Sequence, residues 1–197
     1  MVARKALEGW EIAGVGRIQS GTPYQLISGR AGMNTAETGV VLNNMTAADL
    51  QSMMQVRKTT GSDGIGKVYF LPQDIIDNTN AAFELNSKKL DPSKPYIGPQ
   101  MIPGQFGNRV YLRGPSQTRI DLSVVKHTKF GEKRDVEFRA NFLDAFNLTN
   151  FWLAASGTYT VSAGATGFGQ TTNAFRDFSG TNDPGARVIE FMLRVNF

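Results

Sequence analysis

The sequence predicts an all-β chain, an antiparallel transmembrane β-barrel segment of about five strands with long extracellular loops, an incomplete barrel. The prediction rests on a final stretch that alternates like a membrane strand, on other segments that alternate the same way, and on connections of alternating length. In the final stretch Ile189, Phe191, Leu193, Val195 and Phe197 share one face, while Val188, Glu190, Met192, Arg194 and Asn196 share the other, because successive strand side chains point to opposite sides. One face is wholly apolar; the other is mostly polar. At about 3.3 Å per residue such a strand runs roughly 33 Å, and tilted by about 45° it rises roughly 23 Å, close to the apolar band of an outer-membrane barrel.

Taken in order, Trp10 to Ser20 alternates Trp10, Ile12, Gly14, Gly16 and Ile18 against Glu11, Ala13, Val15, Arg17 and Gln19, which reads as a strand. Ser20-Gly-Thr-Pro23 reads as a turn, and Tyr24 to Ser28 as an antiparallel return that completes a hairpin. From Arg30 to about Ser116 the pattern dissolves into Gly, Asn, Ser, Thr and Pro, with an N-capped short helix expected after Thr46 and a short strand at Lys67 to Leu71. So long a structureless connection suits an external barrel loop rather than a compact soluble domain.

Thr118 to Phe130 sets Ile120, Leu122 and Val124 opposite Arg119, Asp121, Ser123 and His127. After a tight turn at Gly131 to Arg134, Val136, Phe138, Ala140 and Phe142 oppose Glu137, Arg139 and Asn141. Cross-strand pairs between Arg119 or Asp121 and Glu137 or Arg139 are expected to neutralise the polar face. Asp144 to Trp152 brings Phe142, Phe146, Phe151 and Trp152 together as an interfacial girdle, and Leu153 to Ala186 reads as a second long loop. Short turns at 20–23 and 131–134 then fall on one side of the membrane and the long loops on the other, the asymmetry of outer-membrane barrels.

Composition narrows the function. The net charge of +4 is spread without a basic run, so no nucleic-acid partner is expected. The chain has no Cys, which excludes a disulfide scaffold and Cys-ligated zinc. No stretch approaches the roughly 18 apolar residues of a transmembrane helix. Met1 to Trp10 lacks the apolar run of a signal peptide, so for an exported protein the signal is expected to lie outside this sequence.

No residue stands out as catalytic. His127 is the sole His, so a His-based triad or multi-His metal site is impossible within the chain, and it is expected to face the lumen or rim. Asp177 and Asp183 sit among glycines without EF-hand spacing, and Gly61 to Gly66 lacks the Lys and spacing of a phosphate loop. Both read as solvated loops, and neither metal nor cofactor is expected. Asn44-Met-Thr46 and Asn147-Leu-Thr149 match a glycosylation sequon that is frequent by chance. The rival reading is a soluble β-rich, carbohydrate-binding module, in which the apolar face of the final strand would meet a second sheet.

Several motifs recur in a familiar order: Gly9-Trp-Glu-Ile12, Gln19-Ser-Gly-Thr-Pro-Tyr24, Gly104-Gln-Phe-Gly-Asn108, Leu112-Arg-Gly-Pro115, Ile120-Asp-Leu-Ser123, Phe130-Gly-Glu-Lys-Arg134, Phe138-Arg-Ala140 and Asp144-Ala-Phe-Asn-Leu-Thr-Asn-Phe151, ending at Phe197. In them residues 1–197 resemble the carboxy-terminal barrel of TonB-dependent outer-membrane receptors, and within these the Oar-like group, whose members carry a carboxypeptidase-regulatory-like domain. The resemblance implies a barrel wall and external loops of an importer in the bacterial outer membrane, with plug, TonB box and earlier strands outside this sequence. It implies as partners the membrane lipid, an unidentified ligand, the TonB complex reached through the missing part, and the barrel-assembly machinery. That machinery would read Ile189, Phe191, Leu193, Val195 and Phe197.

Overall fold

The computed structural model describes residues 7–30, 39–60, 64–84, 87–102, 104–131, 134–153, 160–171 and 185–197. In chain order the elements are β1 (Trp10–Gln19), β2 (Pro23–Ser28), β3 (Val40–Asn43), α1 (Ala47–Ser52), β4 (Arg57–Thr60), β5 (Gly66–Tyr69), α2 (Gln73–Phe83), β6 (Tyr96–Pro99), β7 (Val110–Arg113), β8 (Gln117–Phe130), β9 (Arg134–Leu143), β10 (Thr160–Ala163), β11 (Gln170–Thr171) and β12 (Val188–Asn196). They fall into two compact units, one built on residues 1–19, 117–150 and 175–197, the other on 20–116 and 151–174.

The first unit is one antiparallel sheet in the order β1-β8-β9-β12. These are the long strands, and they follow one another in space as they do in sequence, a meander with residues 20–116 inserted after β1. Four long strands pair here, where about five were expected. Phe130 pairs with Arg134 across the turn at Gly131, whose φ of 74° suits a residue without Cβ.

The expected hairpin of β1 with residues 24–28 does not form. β1 instead pairs with β8 over ten residues, from Trp10 with Lys126 to Gln19 with Gln117, while β2 pairs antiparallel with β7 and parallel with β10. Two physical terms favour this outcome. The β8 ladder is longer than any that six-residue β2 can offer, and β2 buries Tyr24 and Leu26 in the other unit's core. The alternation of short and long connections therefore changes. One tight turn joins β8 to β9, two long connections leave the opposite end of the sheet, and the start of β1 and end of β12 lie at the turn end.

The second unit overturns the expectation of structureless loops. Its core gathers Tyr24, Leu26, Val40, Leu50, Leu71, Ile76, Ile97, Val110, Leu112, Ala163 and Phe168. Short strands pair across long sequence separations, β3 with β6 and β11 with β5. The helix after Thr46 forms as expected, with a full capping box: the Asp49 N–H donates to the Thr46 hydroxyl at 3.1 Å, and the Thr46 N–H donates to the Asp49 carboxylate at 2.8 Å. Donation to the Asp49 carboxylate from the Thr46 N–H, and second from the Thr46 hydroxyl, holds that carboxyl below the usual carboxylate range. Helix α2 was not expected; its Asn, Asp and Thr are poor helix formers, and only the buried apolar side chains of Ile75, Ile76 and Ala81 betray it.

Candidate membrane-spanning surface

Residues opposite one another in an antiparallel ladder share a face, so the register fixes which side chains of the four long strands stand together. Rows run Gly14, Leu122, Phe142, Ile189; then Ile12, Val124, Ala140, Phe191; then Trp10, Lys126, Phe138, Leu193. Ile18, Gly16 and Ile120 extend this face at one end, and Val136, Val195 and Phe130 at the other. The expected faces of all four strands are therefore those observed. Phe138 and Phe191 stack with ring centroids 5.9 Å apart, a diagonal cross-strand contact.

This apolar face is open. Ile12 is 75% exposed, Ile18 79%, Phe191 69% and Leu193 67%. A soluble sandwich would cover these side chains with a second sheet; a contiguous apolar surface of this extent marks contact with lipid or another apolar phase. Among the described residues no helix is long and apolar enough to cross a membrane.

The other face carries the charge, and its pairing departs from expectation. Arg119, only 4% exposed, donates from Nε to both Asp121 oxygens at 2.9 and 3.3 Å, and Arg139 donates to Glu137 at 2.9 Å. Both pairs lie two residues apart on one strand rather than across strands. In-register geometry explains the change: Arg139 stands opposite Val125, and Glu137 opposite His127. Cross-strand polar contacts come instead from Ser123 with Asn141 at 2.9 Å and Gln19 with Gln117 at 2.6 Å. His127 lies on this charged face, its Nδ1 3.8 Å from an Asp135 oxygen.

At the end away from the tight turn, Asp144 to Asn150 forms a clasp rather than an aromatic girdle. Asp144 takes φ 47° and is buried; its N–H donates to Asp121 at 2.7 Å, and its carboxylate accepts from the Leu148 N–H at 3.0 Å. Asn150 accepts from the Thr118 N–H at 3.0 Å and donates to the Thr118 carbonyl at 2.9 Å, completing both free groups of one β8 residue. Asn147, at φ 53°, accepts from the Arg187 N–H at 3.3 Å just ahead of β12. Side-chain amides thus tie together the ends of β8, β9 and β12, a role for which sequence reasoning had no signal beyond Asx residues at turn-like spacing.

The aromatics expected to cluster with this segment disperse. Phe142 belongs to the apolar face and Phe146 is exposed, while Phe151 and Trp152 belong to the second unit, Phe151 beneath the Lys58 ammonium at 5.7 Å. Aromatics on the apolar face collect at the tight-turn end instead, in Trp10 and Phe130, with Phe197 following β12 there.

In the second unit a polar groove of about 590 Å³ is lined by Asp74, Asp77, Asn78, Glu84, Lys89 and Asp91 among others. Asn78 spends its amide on the Asp91 backbone, at 2.9 and 2.8 Å. Asp91 is held below the usual carboxylate range, chiefly by hydrogen bonds from Ser93. Burial raises the Tyr24 phenol above its ordinary value. Among the described residues no group of three or more His, Asp or Glu side chains is placed to hold a metal ion. Asp177, Asp183 and residues 61–63 lie outside the described residues. Asn44 of the first sequon donates its amide to the carbonyls of Pro92 and Lys94.

A family model described as an outer membrane beta barrel domain matches residues 1–189. The chain belongs to this family. The outer-membrane β-barrel domain accounts for the inverted faces of the sheet, apolar outward and charged inward, and places the protein in the bacterial outer membrane. No curated protein and no solved structure matched the chain.

Proposed function

We propose that this outer-membrane β-barrel domain forms part of the wall and external loops of a TonB-dependent importer. The observation that carries the proposal is the continuous open apolar face over β1, β8, β9 and β12, flanked by two long connections at one end and a tight turn at the other. Its support beyond that is the ordered set of motifs from Gly9 to Phe197 that resemble such receptors. In this reading the tight-turn end is periplasmic, and the connections that follow β1 and β9 leave the sheet on the external side. No described strand pairs with the outer edges of β1 and β12; an unpaired strand edge in lipid is untenable, so further strands, of the same polypeptide or another, close the barrel there.

The charged inner face would line the lumen, and the long external loops would capture a scarce ligand while energy arrives through TonB. Ile189, Phe191, Leu193, Val195 and Phe197 would present the signal read by the barrel-assembly machinery. The intact protein, extracted from outer membranes, is expected to be retained by an immobilised TonB periplasmic domain; no retention overturns the importer reading. Deletion of Phe197 is expected to lower the yield of heat-modifiable, folded barrel, and normal yield would reject the assembly role.

A further inference from the structure

The outward face is not uniform. Along β1, β8, β9 and β12 its positions include no Asp or Glu, and its two basic residues, Lys126 and Arg134, both lie toward the tight turn. Lys126 shares its row with Trp10 and Phe138, its ammonium 5.3 Å from the Trp10 ring centroid. That ammonium also donates to the Glu8 carbonyl oxygen, which anchors it at the start of β1. Arg134 is exposed and pairs in register with Phe130. The opposite end of the same face, around Ile18, Gly16, Ile120 and Leu122, bears no charge.

Basic side chains that reach from an apolar surface toward headgroup level, beside interfacial aromatics, meet phosphate there. An anionic surface attracts each such cation separately. We propose that the turn-proximal part of this face seats the headgroups of anionic glycerophospholipids, with Lys126 and Arg134 at the phosphodiester oxygens and Trp10 and Phe130 against the glycerol and upper acyl carbons. The inference rests on the membrane reading above and names the lipid partner of the same surface. In the orientation proposed there the lipids belong to the periplasmic leaflet.

The intact protein is reconstituted into vesicles of equal parts phosphatidylcholine and phosphatidylglycerol, insertion is read by heat-modifiable migration, and the lipid that remains after mild detergent extraction is analysed. Phosphatidylglycerol is expected to be enriched by about fivefold per basic residue, and Lys126→Gln with Arg134→Gln together should abolish the enrichment while insertion persists. Insertion without enrichment, or equal enrichment in the double variant, overturns the lipid seat and leaves the membrane reading standing. Failure of the wild type to insert in any vesicle overturns both. Should the double variant not insert, Arg134→Gln alone is read the same way, and undiminished enrichment in it overturns the proposal. Loss of the enrichment on adding inorganic phosphate would reassign the site to a free anion.

Discussion

The two units of this chain place the same kinds of residue in opposite positions. In the sheet of β1, β8, β9 and β12, Ile12, Phe191 and Leu193 stand outward while Arg119 and Glu137 are buried. In the unit around Leu26, Leu50 and Leu112 the apolar side chains are inside, each nearly inaccessible. The hydrophobic effect drives both arrangements, since it removes apolar surface from water whether the shelter is a protein core or a bilayer. One sequence therefore carries two solvents' rules, and local composition does not separate them: the first unit's strands are long and strictly alternating, whereas the second's are short and find partners far along the chain.

Substitutions that respect one rule and violate the other should expose this contrast. Leu112→Ala, in the water-excluded core, is expected to cost about 2–5 kcal/mol through lost burial and a cavity, read by denaturant unfolding of the second unit; Leu193→Ala, on the outward face, should be far milder. Phe191→Lys, one row nearer the middle of the same face, reverses the ranking, with an expected cost of about 2–4 kcal/mol near the bilayer midplane. Unchanged folding into membranes would mean that this face does not meet lipid.

The clasp gives a smaller effect. Asn150→Ala leaves the Thr118 N–H and carbonyl without their side-chain partners, at an expected cost of about 1–3 kcal/mol. The test is faster amide exchange at the start of β8 with the rest of the sheet unaltered.

Smallest is the α1 cap. Thr46→Ala should cost about 1 kcal/mol, visible as fraying of residues 47–52 in hydrogen exchange. The Asp49 carboxyl is depressed in the folded state, so its contribution is present above the unfolded carboxylate value of about 3.9 and is lost as pH falls through the lower folded value. Acid titration of α1 protection should follow that direction, and Asp49→Asn should remove the dependence.

Much of the sheet was legible in the residues alone. The period of two assigned Ile120, Leu122 and Val124 to one face and Arg119, Asp121 and Ser123 to the other, and it did the same for β9 and β12. The turn at Gly131 and the cap at Thr46 were readable for a similar reason, since a glycine at positive φ and a Thr-to-Asp capping box act within a few residues. Face, turn and cap are local properties, and a strand's side chains alternate whatever it pairs with.

Partner choice is not local. Tyr24 to Ser28 alternates well enough to return along β1, yet β1 pairs with β8, and β2 buries Tyr24 and Leu26 beside Leu112 and Val110. The exact register of β9, set through a ladder of nine pairs with β8, placed Arg139 opposite Val125 and so turned the expected cross-strand charge pairs into pairs along each strand. The second unit's core shows the same cause at larger scale: four-residue β3 and β6 have no signal strong enough to announce themselves, and become strands because Val40 and Ile97 are buried together once residues more than fifty positions apart have met. Alternation is written residue by residue in the chain, whereas the competition between ladders is settled by burial gained at distant positions, and that free energy exists only when the chain has folded.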